Sequence, residues 1–279
     1  MTQTLIGEIL SGIMFFAVIG TLLLGFPVAF SLAGTALVFS VLGMAFGVFD
    51  PSNFGFLANR YIGTMSNEVL VAVPLFIFMG VVLERSGIAE KLLLTMGKLF
   101  GNLRGGLGIS VVLVGALLAA STGVVGATVV TMGLISLPAM LRAGYDPKLA
   151  SGVICASGTL GQIIPPSTVL IFMGDMLSGI NSQVQMEKGN FAPDPVSVGS
   201  LFAGAFIPGL LLVTLYLLWI MFKAVTDPKS CPATPVPLEE RRGLFRDVLL
   251  ALVPPLLLII AVLGSILGGI ATPTEAASV

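Results

Sequence analysis

Long stretches without a single charged side chain constrain this sequence more than any other feature. Asp, Glu, Lys and Arg are missing from residues 9–49, 69–83, 105–141, 149–174, 195–222 and 248–274. A helix needs about 20 apolar residues to cross a bilayer core of about 30 Å. The runs at 149–174, 195–222 and 248–274 each suit one crossing. The run at 9–49 is about twice span length and breaks naturally at Gly25-Phe26-Pro27, giving two helices. It has no basic leader and continues into a second span, so it reads as membrane helix and not as a cleaved signal. The run at 69–83 is short, but it reaches span length if Glu68 and Glu84 lie at the two interfaces. The expected fold class is therefore an all-α polytopic membrane protein.

Composition narrows the chemistry. Of 279 residues 56% are hydrophobic and 10% charged, where a soluble domain carries roughly 25% charged residues. A soluble or nucleic-acid-binding globule is excluded. The chain has no histidine, which removes imidazole metal sites, histidine proton relays and His-activated nucleophiles. Cys155 and Cys231 make neither a CxxC pair nor a disulfide framework. No nucleotide-binding GxxxxGK[ST] loop occurs, so ATP hydrolysis is not expected of this chain.

Basic residues concentrate in cytoplasmic loops. Of the 13 Lys and Arg, only Arg60 and Lys188 lie outside the segments 84–104, 142–148 and 223–246. Those three segments are expected on the cytoplasmic side. The N-terminus and the segments 50–67 and 181–194 are then expected on the outer side. Residues 224–246 carry Pro228, Pro232, Pro235 and Pro237 and read as a polar cytoplasmic linker. Near the end, Thr272, Pro273 and Glu275 read as a helix start, with Thr as N-cap and Pro in the first turn. A sequence stopping there is expected to be truncated.

Two interruptions inside apolar sequence carry the functional expectation. The first is Ser121-Thr122-Gly123-Val124-Val125-Gly126. Its flanks, 105–120 and 124–141, are either two full spans joined by a tight outer turn or the arms of a re-entrant hairpin. Loop parity is the same in both cases, and small residues at Gly105, Gly106, Gly108 and Gly115 suit packing against protein. The second is Gly158-Thr159-Leu160-Gly161-Gln162-Ile163-Ile164-Pro165-Pro166-Ser167. Two prolines remove two backbone donors, and a continuous helix through them is expected to kink or unwind around 161–165. Freed carbonyls there are hard oxygen ligands for a small cation, and a new helix N-terminus at Ser167 offers its positive end to an anion. Discontinuous helices of this kind point to a secondary transporter.

At these segments the chain resembles the large permease (M) subunit of the tripartite ATP-independent periplasmic (TRAP) transporters. The residues that carry the resemblance are 74–80 (Pro-Leu-Phe-Ile-Phe-Met-Gly), 142–147 (Arg-Ala-Gly-Tyr-Asp-Pro), Gly158-Thr159-Leu160-Gly161 with Ile164-Pro165-Pro166-Ser167, and 272–277 (Thr-Pro-Thr-Glu-Ala-Ala). The resemblance implies the first half of an inverted-repeat, elevator-type ion transporter. It assigns 1–104 to scaffold helices (about three spans and a cytoplasmic connection), 105–141 to the re-entrant hairpin and 149–180 to the broken helix, with 105–180 forming part of the transport domain. An outer loop at 181–197, a span at 198–223, the linker 224–246 and a span at 247–279 that begins a second repeat complete that expectation. It also implies sodium as coupling ion, with no other cofactor, and a first sodium site built from Ser121, Thr122, Gly123, Val124, Gly161, Ile164 and Pro166, mostly through main-chain oxygens. Ser121, Thr122, Ser167 and Thr168 are the implied substrate contacts. The tip departs from the family's frequent Ser-Gly-Ser-Ser pattern, because its later serines correspond to Val124 and Val125. Ser121 and Thr122 are then the only tip hydroxyls. A second sodium site would draw on the second repeat.

The implied partners are a small four-helix membrane subunit, a periplasmic binding protein that delivers an organic acid, and the lipid of a bacterial inner membrane. An alternative is a stand-alone ion-coupled dicarboxylate symporter that needs no binding protein. An intramembrane enzyme or assembly scaffold ranks last, since without histidine, and with only Asp175 and Glu275 expected near membrane depth outside the short span at 69–83, an acid–base pair is hard to assemble.

Overall fold

Every regular element among the described residues is helical. The structure, a computed structural model, describes residues 2–123, 125–192, 196–235, 237 and 243–278, without the side chains of Thr2 and Thr122. The chain divides into two compact units, residues 1–66 and 67–279.

In the first unit, α1 (Thr2–Leu23) and α2 (Val28–Ala45) pack together across the short turn at Gly25, whose φ of +85° needs glycine. A 3₁₀ turn, Pro51–Phe54, and α3 (Gly55–Met65) follow. Asp50 caps that turn by accepting the Ser52 N–H at 2.8 Å, a bond that holds its carboxyl below the usual range. The α1–α2 pair turns its large side chains outward: Phe16 is 72% exposed, Leu23 83% and Phe30 75%. Such a surface belongs against lipid or another protein and not water.

The second unit contains α4 (Glu68–Arg85), α5 (Ile88–Phe100), α6 (Gly106–Thr122), α7 (Val125–Arg142), α8 (Pro147–Thr159), α9 (Thr168–Glu187), α10 (Val198–Thr226), α11 (Leu244–Leu267) and α12 (Pro273–Ser278). Five described helices are long and apolar enough to cross a membrane: α1, α2, α7, α10 and α11. This is a polytopic helical architecture. At about 1.5 Å per residue, α4 spans about 27 Å, and its charged residues, Glu68, Glu84 and Arg85, sit at its two ends.

Helix α6 lies at the centre. It is apolar on all sides, and Val111, Val112, Val114, Leu118 and Ala119 are buried in the main core with residues of α5, α8, α10 and α11. A helix with no polar face is one surrounded by protein or lipid; here it is protein. A second core joins Ala72 and Phe76 of α4, Ile171 of α9, Phe202 of α10, Leu263 of α11 and Ala277 of α12.

Three segments differ from the sequence expectation. The connection 84–104 is mostly α5, an amphipathic helix that buries Ala89, Leu92, Leu93 and Met96 and leaves Glu90, Lys91 and Lys98 outside. The outer loop expected at 181–197 begins as helix, because α9 runs to Glu187 and its amides and serines form a polar helix end. The supposed linker 224–246 is partly built into the fold. Helix α10 continues to Thr226 and α11 starts at Leu244, while Leu238 to Arg242 lie outside the described residues. Between them Cys231 is fully buried in the main core. The Cys231 carbonyl accepts the Gly105 N–H at 3.0 Å, the Ser230 carbonyl accepts the Asp146 N–H at 2.9 Å, and Thr234 N–H reaches the Gly101 carbonyl at 2.7 Å. One short loop thereby ties the α5–α6 turn to the α7–α8 turn.

Candidate functional site

The break between α8 and α9 follows from two imino acids. Helix α8 starts with Asp146 as N-cap, its carboxylate accepting the Lys148 N–H at 2.7 Å, with Pro147 in the first turn. It ends at Thr159 in a 3₁₀ turn, Leu160–Gln162. Pro165 and Pro166 have no N–H, so the carbonyls of Gly161 and Gln162 lose the donors a continuing helix would supply. The Ser167 hydroxyl replaces one of them, donating to the Gln162 carbonyl at 2.8 Å. The same oxygen accepts the Leu170 N–H at 3.4 Å and caps α9. The Pro165–Pro166 peptide bond is cis.

The turn between α6 and α7 meets this break. Gly123 ends α6 in the left-handed region, at φ +59°, where any other residue is strained. A Cβ there would lie 3.4 Å from the Pro166 carbonyl oxygen and 3.4 Å from Thr168 Cγ2. The Gly123 carbonyl accepts two hydrogen bonds, from Thr168 Oγ1 at 2.9 Å and from Gln162 Nε2 at 3.2 Å. Both of its lone pairs are thus engaged. Gln162 Oε1 is buried and has no hydrogen-bond partner among the described residues.

Close helix packing sets the tip in place. A Cβ on Gly158 would fall 2.4 Å from Val129 Cγ2 of α7, and one on Gly115 would fall 2.6 Å from Ser157 Cβ. These two glycines let α8 lie against both arms of the hairpin, as small residues do between membrane helices. Gly161 sits beside Ala119, and Ile164 packs on Gly209 of α10. Helix α8 is 13 residues long, so the break lies about 20 Å from the basic turn at 142–148.

The structure therefore brings together Gly123, Gly161, Pro166, Ser167 and Thr168, with Ile164 packed behind them. The Ser121 hydroxyl is 1% exposed and turned onto its own helix, donating to the Leu118 carbonyl at 2.7 Å. Thr122 is the last residue of α6, and its side chain lies outside the description; Val124 lies outside the described residues altogether. Gln162 belonged to the polar cluster in the sequence but carried no role there, and the structure places it at the junction. An amide amid apolar residues was the signal. No described group of three or more His, Cys, Asp or Glu could hold a metal ion. The oxygens gathered here are neutral carbonyl, hydroxyl and amide oxygens, which suit a hard monovalent cation better than a transition metal.

Asp175, nine residues after Pro166, lies at the other end of α9's first half. It is half-buried and accepts Asn67 Nδ2 at 2.8 Å, in a cleft shared with Glu68, Ser197 and Glu275. Glu275 closes a capping box on Thr272, accepting its N–H at 2.8 Å and its hydroxyl at 2.9 Å, which lowers the carboxyl's pKa. Glu84 accepts the Thr131 hydroxyl and links α4 to α7, a contact with no sequence signal.

Residues 14–279 match the family described as "Tripartite ATP-independent periplasmic transporter, DctM component". Similar curated proteins include the C4-dicarboxylate TRAP transporter large permease protein DctM of Pseudomonas aeruginosa, 35% identical over 83% of this chain and 49% of its own length. The ectoine TRAP transporter large permease protein TeaC of Halomonas elongata is 32% identical over 95% of this chain and 56% of its own. The sialic acid TRAP transporter large permease protein SiaM of Vibrio cholerae is 29% identical over 95% and 55%. The chain spans about half the length of the curated relatives it matches.

Proposed function

The chain belongs to this family of TRAP transporter permease components, and from that membership we propose that it acts in sodium-coupled uptake of an organic acid. It works as part of the large membrane subunit, in a bacterial inner membrane, with its N-terminus outside. A small four-helix membrane subunit and a periplasmic binding protein are its proposed partners, and an elevator movement of the segment 105–180 is the proposed mechanism. Relatives named for C4-dicarboxylates, ectoine and sialic acid all carry a carboxylate in their solute, which supports the substrate class and leaves the individual solute open.

One observation carries this reading: a hairpin tip seated on a helix break, where the Gly161 carbonyl has lost its helical donor and Gln162 Oε1 has no partner among the described residues. Cation sites in secondary transporters use such unwound carbonyls, and the capped N-terminus of α9 faces the same place with the positive end of its dipole. Sodium fits this set as a small hard ion that needs no carboxylate. Ser121, whose hydroxyl is held by Leu118, contributes only after a rotamer change, whereas Gly161 and Pro166 act through the main chain.

The test is uptake into proteoliposomes that contain the complete permease complex and its binding protein, driven by an inward sodium gradient. Gly161→Val and Pro166→Ala are expected to abolish sodium-driven uptake while membrane insertion stays normal. Unchanged uptake in both variants overturns the site. Uptake that persists without any binding protein instead favours a stand-alone symporter.

A further inference from the structure

The unpartnered amide oxygen at the tip–break junction bears on how this chain binds its ion. A buried acceptor left without a donor is costly, so a side chain held in that condition calls for an explanation. Gln162 is not free to turn away from the cost. Its Nε2 donates to the Gly123 carbonyl, and the amide's orientation follows from chemistry, because a carbonyl oxygen can only accept. With the nitrogen end fixed on the tip, Oε1 is aimed elsewhere in the same junction, buried and unmatched.

The described side chains of the tip are poor in ligands. Val125 offers no oxygen, Ser121 donates to Leu118, and the Gly123 carbonyl is already filled by Thr168 and Gln162. On these grounds we infer that Gln162 is a cation ligand, supplying through Oε1 the side-chain oxygen that valine cannot. Its Nε2–Gly123 bond ties that ligand to the hairpin, so ion coordination by Gln162 and closure of the tip on the break are one event. An amide oxygen is a neutral, hard donor of the same kind as a main-chain carbonyl, and its addition leaves the set without formal charge, as a monovalent ion requires. This inference rests on the sodium-site reading above.

The decisive experiment measures thermal unfolding of the purified full-length permease complex in sodium chloride, with choline chloride holding ionic strength constant. Wild type is expected to gain stability with a saturable sodium dependence. Gln162→Leu is expected to raise the half-saturating sodium concentration at least tenfold. Gln162→Glu, which keeps an oxygen and adds charge, is expected to hold it at or below the wild-type value. Opposite signs for Leu and Glu separate a ligand from a packing residue. If wild type responds and both variants keep its half-saturation, Gln162 is no ligand while the proposed function stands. A wild type without any sodium response removes the sodium site itself. Should Gln162→Leu fail to fold, a Gln162→Glu complex that has lost its sodium response overturns the inference alone, and one that retains it supports the inference.

Discussion

The two ends of α6 are built on the same device and finished differently. Each bears a glycine with positive φ, Gly105 at +78° and Gly123 at +59°, and each touches a turn of the α7–α8–α9 segment. At the Gly105 end, main chain meets main chain: Gly105 with Cys231, Asp146 with Ser230 and Thr234 with Gly101. The Tyr145 hydroxyl adds a contact, accepting the Gly108 N–H at 3.3 Å. At the Gly123 end the bonds come from side chains, Thr168 and Gln162, and one buried oxygen remains unmatched among the described residues. A junction of satisfied backbone groups has nothing left to offer a ligand and acts as a permanent joint. A junction held by two side chains, next to the Gly161 carbonyl stripped of its helical donor, is where the proposed ion site lies.

Substitutions at the two ends should therefore fail in different ways. The largest effect is expected from Gly105→Val. It combines a left-handed backbone with a Cβ 2.9 Å from Ile220 Cγ2, a cost of about 3 kcal/mol. Its unfolding temperature should fall equally with and without sodium; a loss confined to sodium-containing buffer would erase the contrast. Thr168→Val comes next. It removes one of the two donors to the Gly123 carbonyl, about 1 kcal/mol, and should weaken sodium half-saturation by roughly fivefold with little change in stability in choline. An equal loss in both salts would make the tip a structural joint like the other end.

Tyr145→Phe is smaller and shows itself in pH. Burial pushes the Tyr145 hydroxyl up to about 12 from an ordinary value of 10. The folded state favours the protonated phenol, so its stabilisation is complete below about pH 10 and lost as pH rises toward 12. Phenylalanine should flatten that part of the alkaline unfolding curve, and an unchanged curve would separate Tyr145 from the joint. Ser121→Ala should do least, because its hydroxyl serves only its own helix. A strong sodium phenotype there would return the tip hydroxyl to the ligand set and weaken the argument from Gln162.

The contrast also marks what was legible in the sequence. Charge-free runs located most of the spans, and Pro165-Pro166 announced the break, since a missing N–H is a local fact of covalent structure. Gly123 could be recognised as a turn because glycine is the usual residue there. Partnership across the fold was not local. In 84–104 the charges are the conspicuous feature, although the spacing of Ala89, Leu92, Leu93 and Met96 describes one buried helix face. Cys231, between prolines, read as part of a solvated linker; its burial depends on two turns more than 80 residues away. Gln162 was visible as a polar residue in an apolar run, yet only its 3.2 Å contact with Gly123, 39 positions distant, reveals the idle oxygen.

Hydrogen–deuterium exchange on the native complex, compared in sodium and choline buffers, tests the opposition between the two ends most directly. The account predicts that sodium slows exchange together in peptides covering 115–123 and 160–171, while 101–108 and 229–235 keep one rate in both salts. Sodium protection at the Cys231 joint with none at the Gly123 tip would contradict it.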